Sequence, residues 1–452
     1  MSQLIELSAE VVTFLMLGGV LALVLTGFPI AFVIGSVAFL VGILIFGPDI
    51  TFHILYSRLY ELTLNYPYLA VPLFTFMGVV LQHSGIAEDL YDALYEWLSG
   101  FKGGLAVVTV IVGTILAACL GTITASVTIL TLIAMAPMVK RGYDKSLASG
   151  TIVAAGTLGI LIPPSIMLVV YGPQAGVSVG KMFMGAIFPG LTLSGFYITY
   201  ITVRCYLNPK LGPSIPEEER AKISSIKKLI KLLKAVAPTL LIILAVLGTI
   251  YTGIAPPTEA AAMGSFAVVI LAIAYRKFNW SLIKHSAVEV LRVSAFVLMI
   301  AGLSYAFVGV FMSAGCGEVV RNLIMAVPGG KWGAFFMVML IVFILGMFIE
   351  WIGIVFIIVP VFSPILKNLG FDPLWAAMMI CINLQMAFQT PPMAMSIFVC
   401  RGTAPPELGV TMNDIIKGVI PFIIMIMICL ILCVLFPQII TWLPAKMIGP
   451  SY

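Results

Sequence analysis

The sequence predicts an all-α polytopic membrane protein, built as an inverted-topology repeat with one re-entrant hairpin in each half. Of its 452 residues, 61% are hydrophobic and only 10% are charged, too few charges to cover a soluble domain of this size. Short motifs also recur in the same order about 228 residues apart: Gly35-Ser36 with Gly264-Ser265, Gly142-Tyr143-Asp144 with Gly370-Phe371-Asp372, and Pro163-Pro164 with Pro391-Pro392. Paired helix breaks in a duplicated membrane chain favour a transporter with its site at the breaks.

Each half contains apolar runs long enough for a helix to cross a hydrocarbon layer of about 30 Å. We predict first-repeat spans at 11–26, 30–47, 64–82, 147–175 and 183–203, with a hairpin at 104–137. The corresponding second-repeat spans are 235–252, 258–276, 288–312, 373–400 and 415–436, with a hairpin at 333–367. Residues 1–208 therefore form the first repeat, 209–234 a cytoplasmic linker, and 235–452 the second repeat.

Five spans are an odd number, so the second repeat enters the membrane from the side opposite to the first. Placing the basic middle loop in the cytoplasm puts 18 of the 24 Lys and Arg residues on that side, as the positive-inside rule requires. Within this loop, 223–233 has helical periodicity, which fits a helix on the inner membrane surface or a solvated linker equally well. The net charge of +5 reflects these loops and does not indicate nucleic-acid binding.

The first hairpin tip interrupts an apolar run with a glycine and three hydroxyl residues: Gly121, Thr122, Thr124 and Ser126. A break at this depth frees carbonyl and hydroxyl oxygens, which are suitable ligands for sodium. The alternative is that the hydroxyls bond back to their own helix, as is common in membrane helices.

Each half has one Pro-Pro pair, and the two pairs stand at matching positions. Each pair breaks a predicted span, because proline lacks the backbone N–H that a helix needs as a hydrogen-bond donor. Two such breaks at matching positions are more specific for a transport site than one kink. The candidate residues are Gly159, Pro163, Pro164 and Ser165 in the first half, and Gln389, Thr390, Pro391 and Pro392 in the second.

The second hairpin tip carries an acid, Glu350, inside an apolar stretch beside Gly353. An unpaired carboxylate in the membrane is unfavourable, so a cation partner or a protonated form is expected. Pairing with another helix or with the interface is the alternative. Asn383 adds an amide to the following helix. Metalloprotease, phosphate-loop and nucleophile-elbow motifs are missing, which argues against an enzyme or an ATP-driven pump.

Four stretches, 137–144, 156–165, 345–348 and 383–392, resemble the large membrane subunit of TRAP (tripartite ATP-independent periplasmic) transporters. The resemblance runs over nearly the whole chain. It implies an elevator-type mechanism in the bacterial inner membrane, where the lipid bilayer surrounds the protein. It also implies two partners, a small four-helix membrane subunit and a periplasmic substrate-binding protein. The substrate would be a small organic acid such as a dicarboxylate or a 2-oxo acid, and sodium would be the coupling ion in place of any other cofactor.

The chain departs from that family at both hairpin tips. Leu120-Gly121-Thr122 stands where the family commonly has Ser-Gly-Ser, and Glu350 stands where it often has aspartate. Our hypothesis is one sodium site with Thr122 and Ser126, a second with Glu350 and Thr390, and a substrate carboxylate between the tips.

Two other kinds of protein fit parts of the pattern. One is a stand-alone sodium/anion or dicarboxylate symporter of related hairpin fold, which needs no binding protein. The other is a non-transporting membrane scaffold or channel, although a scaffold has no use for paired polar breaks.

Overall fold

The computed structural model describes residues 7–98, 100–214, 225–392 and 394–448, and the regular secondary structure of these residues is helical, with no strand among them. The first half contains α1 (Ala9–Leu25), α2 (Ile30–Thr63), α3 (Ala70–His83), α4 (Ile86–Leu98), α5 (Gly104–Leu120), α6 (Ile123–Leu130), α7 (Ala136–Lys140), α8 (Lys145–Thr157), α9 (Ile166–Ala175) and α10 (Val179–Leu207). The second half contains α11 (Ser225–Tyr251), α12 (Pro257–Ala274), α13 (Trp280–Ser313), α14 (Cys316–Met325), α15 (Gly330–Gly346), α16 (Trp351–Ile357), α17 (Val359–Asn368), α18 (Pro373–Ala387), α19 (Met395–Thr403), α20 (Met412–Leu435) and α21 (Gln438–Thr441).

Seven helices in the described residues are long and apolar enough to cross a membrane, or up to ten if each of three bent helix pairs counts as one span. Hydropathy and length therefore agree with the polytopic helical fold that the sequence predicts.

The helix order of the first half recurs in the second. The hairpin helices α5 and α6 correspond to α15 and α16, and the broken pair α8 and α9 corresponds to α18 and α19. The sequence echo at Gly142 and Gly370 now has a physical reason. Both glycines have a positive φ, of 80° and 83°, and each precedes an aspartate that caps the next helix. Asp144 accepts a hydrogen bond from the Leu147 backbone N–H at 2.9 Å, and Asp372 accepts one from Trp375 at 2.8 Å.

The structure adds helices that the sequence prediction left out. The predicted span 30–47 is the first part of α2, which continues to Thr63 beyond a break at Gly47 (φ 78°) and Pro48. The predicted span 235–252 corresponds to the C-terminal part of α11, which begins at Ser225. Residues 215–224 of the predicted linker lie outside the described residues. The amphipathic helices α4 and α14 were not predicted, because their charged faces lower hydropathy below that of a span.

The helices form two packed groups. In the long-helix group, α2 lies along α13, and α3 packs on both α12 and α13. In the hairpin group, each hairpin packs on the broken helix of its own half, with α5 on α8 and α15 on α18. Small residues allow these close approaches. A Cβ atom placed on Gly346 would lie 2.6 Å from the Ala387 Cβ, and one on Gly150 would lie 2.2 Å from the Gly418 carbonyl oxygen.

Candidate functional site

A cavity of about 400 Å³ lies where the two hairpin tips meet the broken helices. The first tip contributes Thr122 and Thr124, and the second tip contributes Glu350. Other parts of the wall come from Ile166 at the start of α9, from residues flanking the second break, and from α13 of the long-helix group: Phe388, Ala394, Met395, Val293, Phe296 and Val297. Tips that are 228 residues apart in sequence therefore line one site.

The first tip is a tight turn between α5 and α6. Gly121 adopts a left-handed conformation (φ 63°) and ends α5, and Thr122 caps α6 by accepting a hydrogen bond from the Ala125 backbone N–H at 3.4 Å. Thr124 is exposed and lines the cavity. Ser126 is buried, and its hydroxyl has no hydrogen-bond partner among the described residues. Buried polar groups are almost always paired, so this hydroxyl marks a candidate position for a ligand.

The first Pro-Pro break lies directly against this tip. A Cβ atom placed on Gly159 would lie only 2.4 Å from the Ser126 Oγ and 3.2 Å from the Thr122 carbonyl oxygen. The missing side chain at Gly159 therefore allows the break to approach both oxygens. This arrangement places Thr122 and Ser126, which the sequence hypothesis assigned to one sodium site, beside Gly159 of the first break.

The remaining candidate residues of the first break are buried, and the Ser165 side chain is already hydrogen-bonded. Pro163, Pro164 and Ser165 are buried, and the Pro163–Pro164 peptide bond is cis. The Ser165 hydroxyl donates a hydrogen bond to the Ile160 carbonyl oxygen at 2.6 Å. Ser165 thus stabilises the backbone of the break, and its oxygen is already engaged.

The second tip presents a carboxylate. Glu350 occupies the N-cap position of α16 with an extended backbone (φ −62°, ψ 147°), but its side chain makes no capping hydrogen bond. Among the described residues, no ion pair or hydrogen bond engages the Glu350 side chain. Its neighbour Gly353 faces elsewhere, since a Cβ atom there would lie 2.4 Å from Ile30 Cδ1. Gly353 therefore allows close packing against α2, whereas Glu350 lines the cavity.

The second break combines paired and unpaired polar atoms. Gln389 is buried, and its Nε2 donates to Thr157 Oγ1 at 2.9 Å, which links the two broken helices across the repeat. The Gln389 Oε1 and both side-chain polar atoms of Gln385 have no partner among the described residues. Thr390 donates back to the Met386 carbonyl oxygen at 2.8 Å, as in the alternative interpretation of membrane hydroxyls. The described contacts therefore do not join Thr390 to Glu350.

The proline pair of this break differs from the first in its exposure. Pro391 and Pro392 also form a cis peptide bond, but both residues are exposed. Ser396 supports this break by donating to the Phe388 carbonyl oxygen at 2.6 Å. Asn383 lies deeper in α18 and donates to the Met339 carbonyl oxygen at 2.7 Å, so it fixes the hairpin helix α15 to α18.

Comparison with known proteins decides the family. The family model described as the DctM component of the tripartite ATP-independent periplasmic transporter matches residues 17–439. The chain belongs to this family.

Two relatives and one solved structure illustrate the similarity. The chain is 30% identical over 403 residues to the C4-dicarboxylate TRAP transporter large permease protein DctM of Pseudomonas aeruginosa, covering 89% of this chain and 91% of the relative. It is 31% identical to the protein of the same description in Vibrio cholerae, covering 86% and 87%. The crystal structure of the Alcanivorax borkumensis YdaH transporter, at 14% identity, shares the fold with a TM-score of 0.62 over 89% of this chain and 90% of that one.

As a TRAP large permease, the chain is a multi-pass protein of the bacterial inner membrane and a transport protein rather than an enzyme. No group of three or more His, Cys, Asp or Glu side chains that could hold a metal ion occurs among the described residues.

The candidate site also includes residues that the sequence pattern did not single out. Val293, Phe296 and Val297 give the cavity a wall from α13, and Ser396 supports the second break. A serine soon after Pro-Pro is a weak signal for such support. The α13 residues carry no signal in the sequence, because they differ in no visible way from other apolar residues of a long helix.

A polar cluster connects the two helix groups outside the cavity. Gln174 on α9 donates through Nε2 to the hydroxyls of Tyr68, at 2.6 Å, and Tyr305 on α13, at 3.0 Å. The rings of both tyrosines pack near Phe356 of α16, with centroids 6.0 Å and 6.4 Å away. These contacts hold the hairpin group against the long-helix group in the observed arrangement.

Proposed function

We propose that this chain is the large subunit of a sodium-driven importer of small organic acids, which works with a small four-helix membrane subunit and a periplasmic substrate-binding protein. The observation that carries the proposal is the meeting of both hairpin tips and both helix breaks at one cavity. Family membership supports the same assembly, because the family is described as a tripartite periplasmic transporter.

One sodium ion binds at the first tip. The unpartnered Ser126 hydroxyl lies beside the Thr122 carbonyl oxygen, where Gly159 leaves room. Sodium, a hard cation, prefers such oxygen ligands, and broken helices supply them in membrane transporters.

A second sodium ion binds at the other tip, near Glu350. This carboxylate lacks a capping role, and a cation would balance its charge in the apolar surroundings. Gln389 and Thr390 lie on the adjoining break, and we assign them to the same site.

The substrate lies between the tips, where α6, α9 and α19 begin. The N-terminal end of a helix carries roughly half a positive charge, so these ends favour a carboxylate. Sodium entry supplies the driving force, because each net charge moved inward gains about 2.3 kcal/mol per 100 mV.

The hairpin group moves as one body against the long-helix group in an elevator-type cycle. The tight contacts within the hairpin group, such as Gly346 with Ala387, support this division. The polar cluster of Gln174, Tyr68 and Tyr305 would break and reform as the site passes between membrane faces.

The test is uptake of radiolabelled organic acids into proteoliposomes that contain this chain, its small membrane subunit and its binding protein. Uptake that needs all three proteins and an inward sodium gradient is expected. Uptake by this chain alone would favour the stand-alone symporter, and voltage-driven flux without saturation would favour a channel.

A further inference from the structure

The walls of the central cavity are almost entirely apolar. Among the sixteen described residues that line it, the only polar ones besides Trp351 are Thr122, Thr124 and Glu350. None is lysine, arginine or histidine. The charge that a substrate can carry into this site is therefore limited by what the cavity can balance.

Positive potential in the cavity comes from helix ends on one side. Ile166 and Met395, the first residues of α9 and α19, line the cavity together with Ile123 of α6. The Thr122 and Thr124 hydroxyls lie at the same end and can donate hydrogen bonds. This end can accommodate one carboxylate group.

A second carboxylate would meet no cationic side chain among the described lining residues, and the first carboxylate already balances the sodium ion proposed at the first tip. Another part of the wall, contributed by α13, consists of Val293, Phe296 and Val297. Glu350 adds negative charge, and the sodium ion proposed at that tip is already balanced by it. Desolvating a second carboxylate against apolar side chains is strongly unfavourable.

We propose that the cavity selects a monocarboxylate with a branched aliphatic or aromatic body over a dicarboxylate of the same length. This inference rests on the proposed function and specifies its substrate class. The carboxylate lies at the helix ends beside Thr122 and Thr124, and the apolar body packs against Phe296 and its neighbours on α13.

The experiment measures binding to the permease itself, so that the periplasmic binding protein does not impose its own selection. The full permease with its small membrane subunit is placed in lipid nanodiscs with saturating sodium. The probes are 4-methylpentanoate, the dicarboxylate pentanedioate, and the neutral amide 4-methylpentanamide. We expect 4-methylpentanoate to bind at least about tenfold more tightly than either of the other two, the scale on which apolar pockets discriminate.

Variants of Phe296 sharpen the result, because this side chain is 38% exposed and tolerates substitution better than a core residue. Phe296→Lys supplies the missing positive charge and should reverse the preference toward pentanedioate. Phe296→Leu keeps an apolar wall and should retain the wild-type order.

The outcomes separate the inference from the proposed function. Sodium-dependent binding of pentanedioate that equals or exceeds that of 4-methylpentanoate in the wild type overturns this inference and leaves the proposed function in place. Equal binding of the acid and its amide also overturns the inference, since no carboxylate site would exist. Failure of all three probes to bind overturns the inference, while the proposed function is decided separately by the uptake assay with all three proteins. The wild-type order alone supports the inference even if Phe296→Lys does not fold.

Discussion

The two hairpin tips occupy equivalent places but have different chemistry. Thr122 and Glu350, 228 residues apart, are the N-cap residues of α6 and α16. Thr122 uses its side chain to cap its helix, whereas Glu350 does not. The two tips therefore share a backbone arrangement but differ in side-chain role. The hydroxyl at the first tip caps a helix, whereas the carboxylate at the second tip makes no capping hydrogen bond.

The neighbouring breaks differ in the same direction. Pro163 and Pro164 are buried, but Pro391 and Pro392 are exposed. Equivalent elements of an inverted repeat would be equally exposed in a symmetric state. We attribute the difference to the alternating-access cycle proposed above, in which one half of the site is covered while the other is open.

The largest effect is expected at Glu350. Replacing it with Gln removes the only charge among the described residues of the cavity lining. Losing the carboxylate of the proposed Glu350–sodium pair should cost about 2–5 kcal/mol, or roughly 30-fold or more in affinity. Sodium-driven uptake should be abolished, while Glu350→Asp should restore sodium dependence. Full uptake by Glu350→Gln with a normal sodium response would make this residue structural.

Gly159→Ala should have the next largest effect, on the first tip alone. Its Cβ would displace the Ser126 hydroxyl and press on the Thr122 carbonyl, and such overpacking costs about 1–3 kcal/mol. The matched control is Gly195→Ala on α10, where nothing lies within 4 Å of an added Cβ. Sodium activation curves that are identical for both variants would contradict the account of the first site.

Ser126→Ala should affect sodium activation, whereas Ser165→Ala should affect the stability of the fold. Removing the unpartnered Ser126 hydroxyl should weaken sodium activation about fivefold without lowering thermal stability, from about 1 kcal/mol per ligand contact. Removing the Ser165 hydroxyl leaves the Ile160 carbonyl unpaired and should lower the free energy of unfolding by about 1 kcal/mol. Thermal unfolding in detergent with and without sodium distinguishes the two, and equal stability losses would contradict the prediction.

The smallest effect is expected for Thr390→Ala. Its hydroxyl already donates to Met386, so only a lone pair is available to an ion, and the loss should be about 0.6 kcal/mol, or threefold in sodium activation. Protein abundance in the membrane should not change. An unaltered sodium response would remove Thr390 from the second site.

The sequence predicted the features that repeat or that interrupt an apolar run. The hairpin helices lie close to the predicted positions, and the polar tips and Pro-Pro breaks lie where helices are interrupted. These features are visible in the sequence because glycine, proline and buried polar residues stand out in a long apolar run. The helices α4 and α14 were not predicted, since a short amphipathic helix resembles a loop when judged by hydropathy.

The candidate site itself could be predicted only in part. The roles of Ser126 and Gly159 depend on a contact between residues 33 positions apart, and the α13 wall depends on packing between the two helix groups. The sequence also does not reveal which side chains form hydrogen bonds in the fold. Asn383, for example, reads as a candidate ligand but is engaged with the Met339 carbonyl.

Direct measurement of sodium binding tests the central claim that each tip holds one ion. Equilibrium binding of radioactive sodium would be measured on the purified permease with its small membrane subunit, for the wild type, Ser126→Ala and Glu350→Gln. We expect about two ions per wild-type chain, one fewer for Glu350→Gln, and weaker binding of one ion for Ser126→Ala. Unchanged sodium binding in both variants would contradict the assignment of the tips as ion sites.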